Sequence, residues 1–207
     1  MSDVFVDGAS YGLANTPKTW GELLETLDAD LGPRGVLLAA VRFDGVEQPA
    51  FREPSVAGRA LTTVQRVDVE TATPDALLRQ SLAEAAEAIG QIADDVARVS
   101  ALFRGNDVST ANQGLARLSG DLHTFTALVT TLRGPLGIPV ERLTVDGVSP
   151  DEQIERLGAW LESLIGAQSS QDWLTVADIL EYDIEPVLRA WRTRLETMTH
   201  EPQDRSL

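Results

Sequence analysis

The chain has 207 residues and a formal net charge of −15, long enough to bury a core without cross-links or metal. It contains no cysteine, which excludes disulfides, thiolate zinc sites, iron–sulfur clusters and cysteine nucleophiles. The excess of negative charge opposes attraction to DNA, RNA or an anionic membrane surface, so neither nucleic acid nor membrane is an expected partner.

The start, MSDVFVDGAS, has no basic and apolar leader pattern, and no segment approaches the roughly 20 apolar residues of a membrane span. A soluble cytoplasmic protein is the expectation. Val4 to Val6 before Asp7-Gly8 read as a short strand ending in a turn. Thr19 and Glu22 have capping-box spacing, and Trp20, Leu23, Leu24, Leu27 and Leu31 form one apolar helical face that ends at Gly32-Pro33. Val36 to Phe43 reads as a strand apolar on both faces. Asp44-Gly45 is a hairpin signal into a strand over Val46 to Phe51, and Thr63 to Val69 is a fourth strand. The expected module is β-α-β-β(-β) over residues 1–72, resembling a β-grasp or a ferredoxin-like half.

From Thr73-Pro74-Asp75, a helix start, the pattern is helical. Leu78, Leu82, Ala85, Ile89, Ile92, Val96, Val99 and Phe103 repeat with heptad spacing to Gly105-Asn106. Leu115, Leu118, Leu122, Phe125, Val129 and Leu132 repeat likewise up to Gly134-Pro135, giving a helical hairpin. Residues 134–148, rich in Pro and Gly, cross over. Ser149-Pro150-Asp151-Glu152 starts a third helix with Ile154, Leu157, Leu161 and Leu164 as its buried face. Gln171 to Thr199 reads as one long amphipathic helix, with Trp173, Ala177, Leu180, Ile184, Val187, Trp191, Leu195 and Met198 on its stripe and a kink at Pro186. The expected fold class is therefore α+β and predominantly helical: the small module, a four-helix, two-hairpin bundle over residues 73–200, and a polar tail over 201–207. Three Asp-Gly turns, VFVDG, VRFDG and LTVDG, echo one another without establishing a repeat.

Chemistry-bearing residues are few. His200 falls in the polar tail. His123 lies beside the buried stripe of its helix, and Asp121 two positions away faces elsewhere. Asp178, Glu181 and Glu185 form a stripe on the last helix beside Tyr182, but no Glu-x-x-His accompanies them, so a metal centre is not expected. Phosphate-binding, dinucleotide, nucleophile-elbow and zincin motifs are missing, which weighs against an enzyme and implies no cofactor. Trp160, off the seam of its helix, and Leu174 and Ile179, off the main stripe of the last helix, are the candidates for partner binding, with Asp178, Glu181 and Glu185 as the acidic surface.

The closing segment DWLTVADILEYDIEPVLRAW, with the β-α-β start and the Asp-Gly hairpin, resembles a type of uncharacterised bacterial protein in which a small βαββ module precedes a helical bundle; that resemblance implies no activity. The small, acidic, helical profile is also similar to export chaperones of flagellar or type III secretion systems. The expected function is a non-enzymatic adaptor or chaperone-like protein that binds another protein, basic or presenting an amphipathic helix. The alternatives are a small-ligand binder or enzyme with a pocket between module and bundle, and a structural homodimer.

Overall fold

A computed structural model of the chain describes residues 2–13, 15–133 and 138–201. The turn read at Gly134-Pro135 and residues 202–207 of the tail lie outside these. The chain divides into two compact units, Met1–Leu78 and Arg79–Leu207. The fold is α+β and predominantly helical, and among the described residues no helix is long and apolar enough to cross a membrane.

The first unit contains β1 (Asp3–Val6), β2 (Ala9–Ser10), α1 (Trp20–Leu31), β3 (Leu37–Phe43), β4 (Val46–Glu47), α2 (Pro54–Ala57) and β5 (Arg66–Ala72). The strand order is β2-β1-β5-β3-β4. The last strand lies between the first, which it meets parallel, and the third, which it meets antiparallel. Of the two arrangements the sequence resembles, this is the β-grasp. The capping box at Thr19 forms, with the Glu22 amide donating to Thr19 Oγ1 at 3.3 Å, although Glu22 returns to the Lys18 amide at 2.6 Å. All five predicted apolar residues of α1 are buried against Val41, Phe43, Val67 and Val69 of the sheet.

Two strand expectations need correction. The strand expected over Val46 to Phe51 stops at Glu47, because Pro49 has no N–H to continue a ladder. Phe51 instead accepts the Trp20 indole N–H on its carbonyl at 2.6 Å. The fourth strand begins at Arg66 rather than Thr63, because Leu61–Thr63 forms a 3₁₀ turn.

The second unit is built on α3 (Pro74–Arg104), which starts within the first unit's last residues, α4 (Val108–Arg133), α5 (Pro150–Ser169), α6 (Trp173–Asp178) and α7 (Glu185–His200). The predicted stripe of α3 from Leu82 to Phe103 and that of α4 are buried. Close approach fastens α4 to α3 at Gly114, where a Cβ would meet Val99 Cγ2 at 2.5 Å. Phe103 stacks on Trp173 at 5.6 Å, and Phe125 meets Trp191 edge-on at 5.9 Å. Gln168 of α5 donates to Asn112 of α4 at 2.9 Å.

The last long helix is not continuous. Ile179–Ile184 forms a π-helical turn in which the Glu185 amide donates to the Leu180 carbonyl, five residues back. Pro186 supplies no N–H to the turn before it, and the wider winding absorbs one extra residue. The buried stripe consequently runs Leu180, Ile184, Leu188, Trp191, Leu195 and Met198, with Leu188 in place of the expected Val187. His200, expected in the tail, is the last residue of α7.

Candidate functional site

The acidic stripe of the last helix is occupied by arginines of its own unit. Arg104, at the end of α3, donates from Nη2 to Asp178 Oδ1 at 2.6 Å and from Nε to Glu181 Oε2 at 2.7 Å. Its guanidinium lies 5.6 Å from the centre of the Tyr182 ring. The hydrogen bond from Arg104 holds the Glu181 carboxyl below the ordinary carboxylate range, with that cation's charge and the Ser100 hydroxyl adding to it. Glu185 accepts from Arg189 at 2.7 Å, and Arg189 also reaches Asp94 at 3.2 Å. Through Arg104, Asp178 and Glu181 therefore tie α6 and the π-turn to α3, while Glu185 steadies Arg189, which reaches Asp94 of α3.

The apolar candidates separate. Ile179 is buried, because it continues the α6 register three residues after the buried Val176, and it does not reach the surface. Leu174 is 62 % exposed, on the outer side of α6 and four residues before Asp178. Trp160 is half-buried and lines a small cavity of about 100 Å³ with Gln153, Val187 and Ala190.

The orientation of α5 follows from one polar residue. Gln153 is buried: its amide donates to the Val145 and Val148 carbonyls at 3.1 and 3.2 Å, and its carbonyl accepts the Trp191 indole N–H. Satisfying both ends inside the unit turns the helix, so the buried seam is Gln153, Leu157, Leu164 and Ala167. The expected seam residues Ile154 and Leu161 are left half-buried, and Ile165, which belongs to no predicted stripe, is 61 % exposed. Its signal was its place, next to Leu164 and seven residues from Gly158, but only the rotation makes it visible.

A cleft of about 520 Å³ lies between α3 and α7 and is lined by Glu87, Gly90, Asp94, Arg192, Glu196 and His200, among others. Arg192 lies across Gly90 and donates to Glu196 at 2.8 Å. His123 is exposed on α4 and takes no part in it. Among the described residues no group of three or more His, Cys, Asp or Glu is placed to hold a metal ion.

Residues 80–194 match the model of a family described as a domain of unknown function (DUF8042), more than half of the chain and all within the helical unit. No curated protein and no solved structure matches the chain.

Proposed function

Because the chain belongs to the DUF8042 family, whose description assigns no activity, we propose from its geometry that it is a non-enzymatic, protein-binding adaptor whose helical unit is the recognition surface. The observation that carries this reading is the pair Ile165 and Leu174, each more than three-fifths exposed on an acidic unit whose other large aliphatic side chains are mostly withdrawn. Exposed large apolar residues on an otherwise charged surface favour association with another protein. The second support is the state of the polar candidates: Asp178 and Glu181 are engaged by Arg104 of α3, and Glu185 by Arg189 of its own helix. The chain's net charge of −15 favours a partner segment that is basic.

The test is affinity capture from native lysate with the full chain, beside Leu174→Asp and Ile165→Asp, each checked for native helicity. A partner recovered in stoichiometric amount by the wild type and lost in at least one variant is the expected result. Equal recovery by all three, or no recovery, overturns the reading.

A further inference from the structure

We propose that the outward face of α5, formed by Ile154, Gly158, Leu161 and Ile165, receives an amphipathic helix whose polar flank is basic. The proposal rests on the protein-binding reading and names the surface and the partner's chemistry. The four residues are spaced i, i+4, i+7 and i+11 and so form one stripe along the helix. They flank the buried seam: Ile154 and Leu161 are half-buried, and Gly158 and Ile165 are exposed. Gln153, engaged with Trp191 and with the Val145 and Val148 carbonyls, occupies the inside with Leu157 and Leu164, and this rotation keeps the flanking stripe from full burial. The unit thus keeps a polar group buried and leaves an apolar stripe partly uncovered, an arrangement that costs stability unless the stripe is covered by something else. Nothing lies within 4 Å of the Cβ position of Gly158, so a second helix can approach the α5 backbone closely there.

Charge selects the occupant. Glu155 and Glu162 run alongside the apolar stripe, both exposed and both without an ion-pair partner among the described residues. The one arginine of α5, Arg156, is on the opposite flank, where Glu152 holds it at 2.7 Å. A second copy docking through this face would bring Glu155 and Glu162 against their own counterparts, a like-charge contact that disfavours the pair. A helix with Leu-type residues on one face and Lys or Arg beside them satisfies both stripes at once.

The experiment titrates the full chain with a synthetic amphipathic Leu/Lys helical peptide and with its Leu/Glu counterpart, followed by fluorescence anisotropy and by methyl NMR of Ile154, Leu161 and Ile165. Binding of the Leu/Lys peptide alone, methyl shifts on this stripe, and an affinity loss of about tenfold or more in both Ile165→Asp and Glu155→Lys/Glu162→Lys are expected. The charge reversal Glu25→Lys/Glu53→Lys, on the other unit, is expected to bind as the wild type does. Equal losses in that control, equal binding of the Leu/Glu peptide, or methyl shifts confined to other residues overturn the proposal. So does concentration-dependent dimerisation, seen by sedimentation, that Ile165→Asp abolishes, since the second copy then holds the face. A native partner whose capture is lost in Leu174→Asp and kept in Ile165→Asp overturns this site and leaves the protein-binding reading standing.

Discussion

Asp7 and Asp44 each do two jobs in the first unit. Each opens a two-residue turn with positive φ at both positions, Asp7-Gly8 at 50° and 79° and Asp44-Gly45 at 51° and 82°, the geometry that lets a tight hairpin follow the strand twist. Each also spends its carboxylate on β5: Asp7 accepts from the Thr71 amide and hydroxyl at 2.8 and 2.7 Å, and Asp44 from the Gln65 and Arg66 amides at 3.0 and 2.8 Å. The two turns therefore grip the central strand from its two ends. Asp44→Ala is expected to cost about 1–2 kcal/mol by losing the charged acceptor of two backbone amides and a residue tolerant of positive φ. Urea unfolding followed by Trp20 fluorescence measures it. The third Asp-Gly, at Asp146-Gly147, repeats the dihedrals at 52° and 78° with Val145 and Val148 bridged across it; the echo in the sequence is a shared turn and not a repeated domain. Turn chemistry was legible because positive φ at two successive positions selects Asp-Gly locally. Which strand the turn aspartates would hold was not, since Asp7 and Thr71 are 64 positions apart.

At the scale of the element, two glycines in similar helices make opposite demands. Gly114 faces a β-branched side chain with no room to yield, so Gly114→Ala is expected to destabilise by about 1–3 kcal/mol despite its gain in helix propensity. Gly90 faces the Arg192 side chain at 3.1 Å, and that flexible arm can swing aside. Gly90→Ala is expected to be neutral or stabilising by up to about 1 kcal/mol. Thermal denaturation of the two variants separates them by sign. The π-turn makes a third prediction, since it holds one residue more than an α-helix needs. Deleting Tyr182, which is 65 % exposed, is expected to restore continuous α-helix and keep Leu188, Trp191 and Leu195 inward. Deleting Ala190 rotates the residues after it by about 100° and is expected to unfold α7. Helix content by circular dichroism and Trp191 fluorescence report both outcomes. Sequence periodicity located this helix and its irregularity at Pro186, yet it placed Val187 where Leu188 is buried, because a kink and a π-turn look alike until the register beyond them is seen.

Across the whole molecule, acid stability follows from the depressed carboxylates of the helical unit. Arg104 lowers Glu181, the Thr175 hydroxyl and amide lower Asp172 at the start of α6, and Arg194, followed by Arg142, lowers Glu201 after α7. A carboxylate with a lowered folded-state pKa contributes stability that is complete above its unfolded value and is lost as pH falls through the folded one. The melting temperature is therefore expected to decline below about pH 4.5, the unperturbed glutamate value. In Arg104→Leu the curve is expected to start lower at neutral pH and to fall less steeply in acid. An equal acid slope in both proteins would show that the Arg104 clamp does not couple to protonation. Protonation also relieves the repulsion within a chain of net charge −15, which acts in the opposite direction, so the difference between the two proteins is the quantity that isolates the clamp.

What the sequence by itself determined is the set of local choices: the α1 cap and apolar face, the Asp-Gly turns, the apolar stripes of α3 and α4, and the α+β, mostly helical class. Each of these is written in residues within one or two turns of one another, where spacing and backbone preference decide the outcome. Tertiary structure decided the rest. The central place of β5, the arginines that occupy Asp178, Glu181 and Glu185, the burial of Ile179 and the rotation of α5 about Gln153 all depend on groups distant in sequence. A buried polar side chain must find its partners wherever the packed helices offer them, and in this chain that requirement, acting on Gln153, shifts the core seam of α5 so that Ile154 and Leu161 are only half-buried.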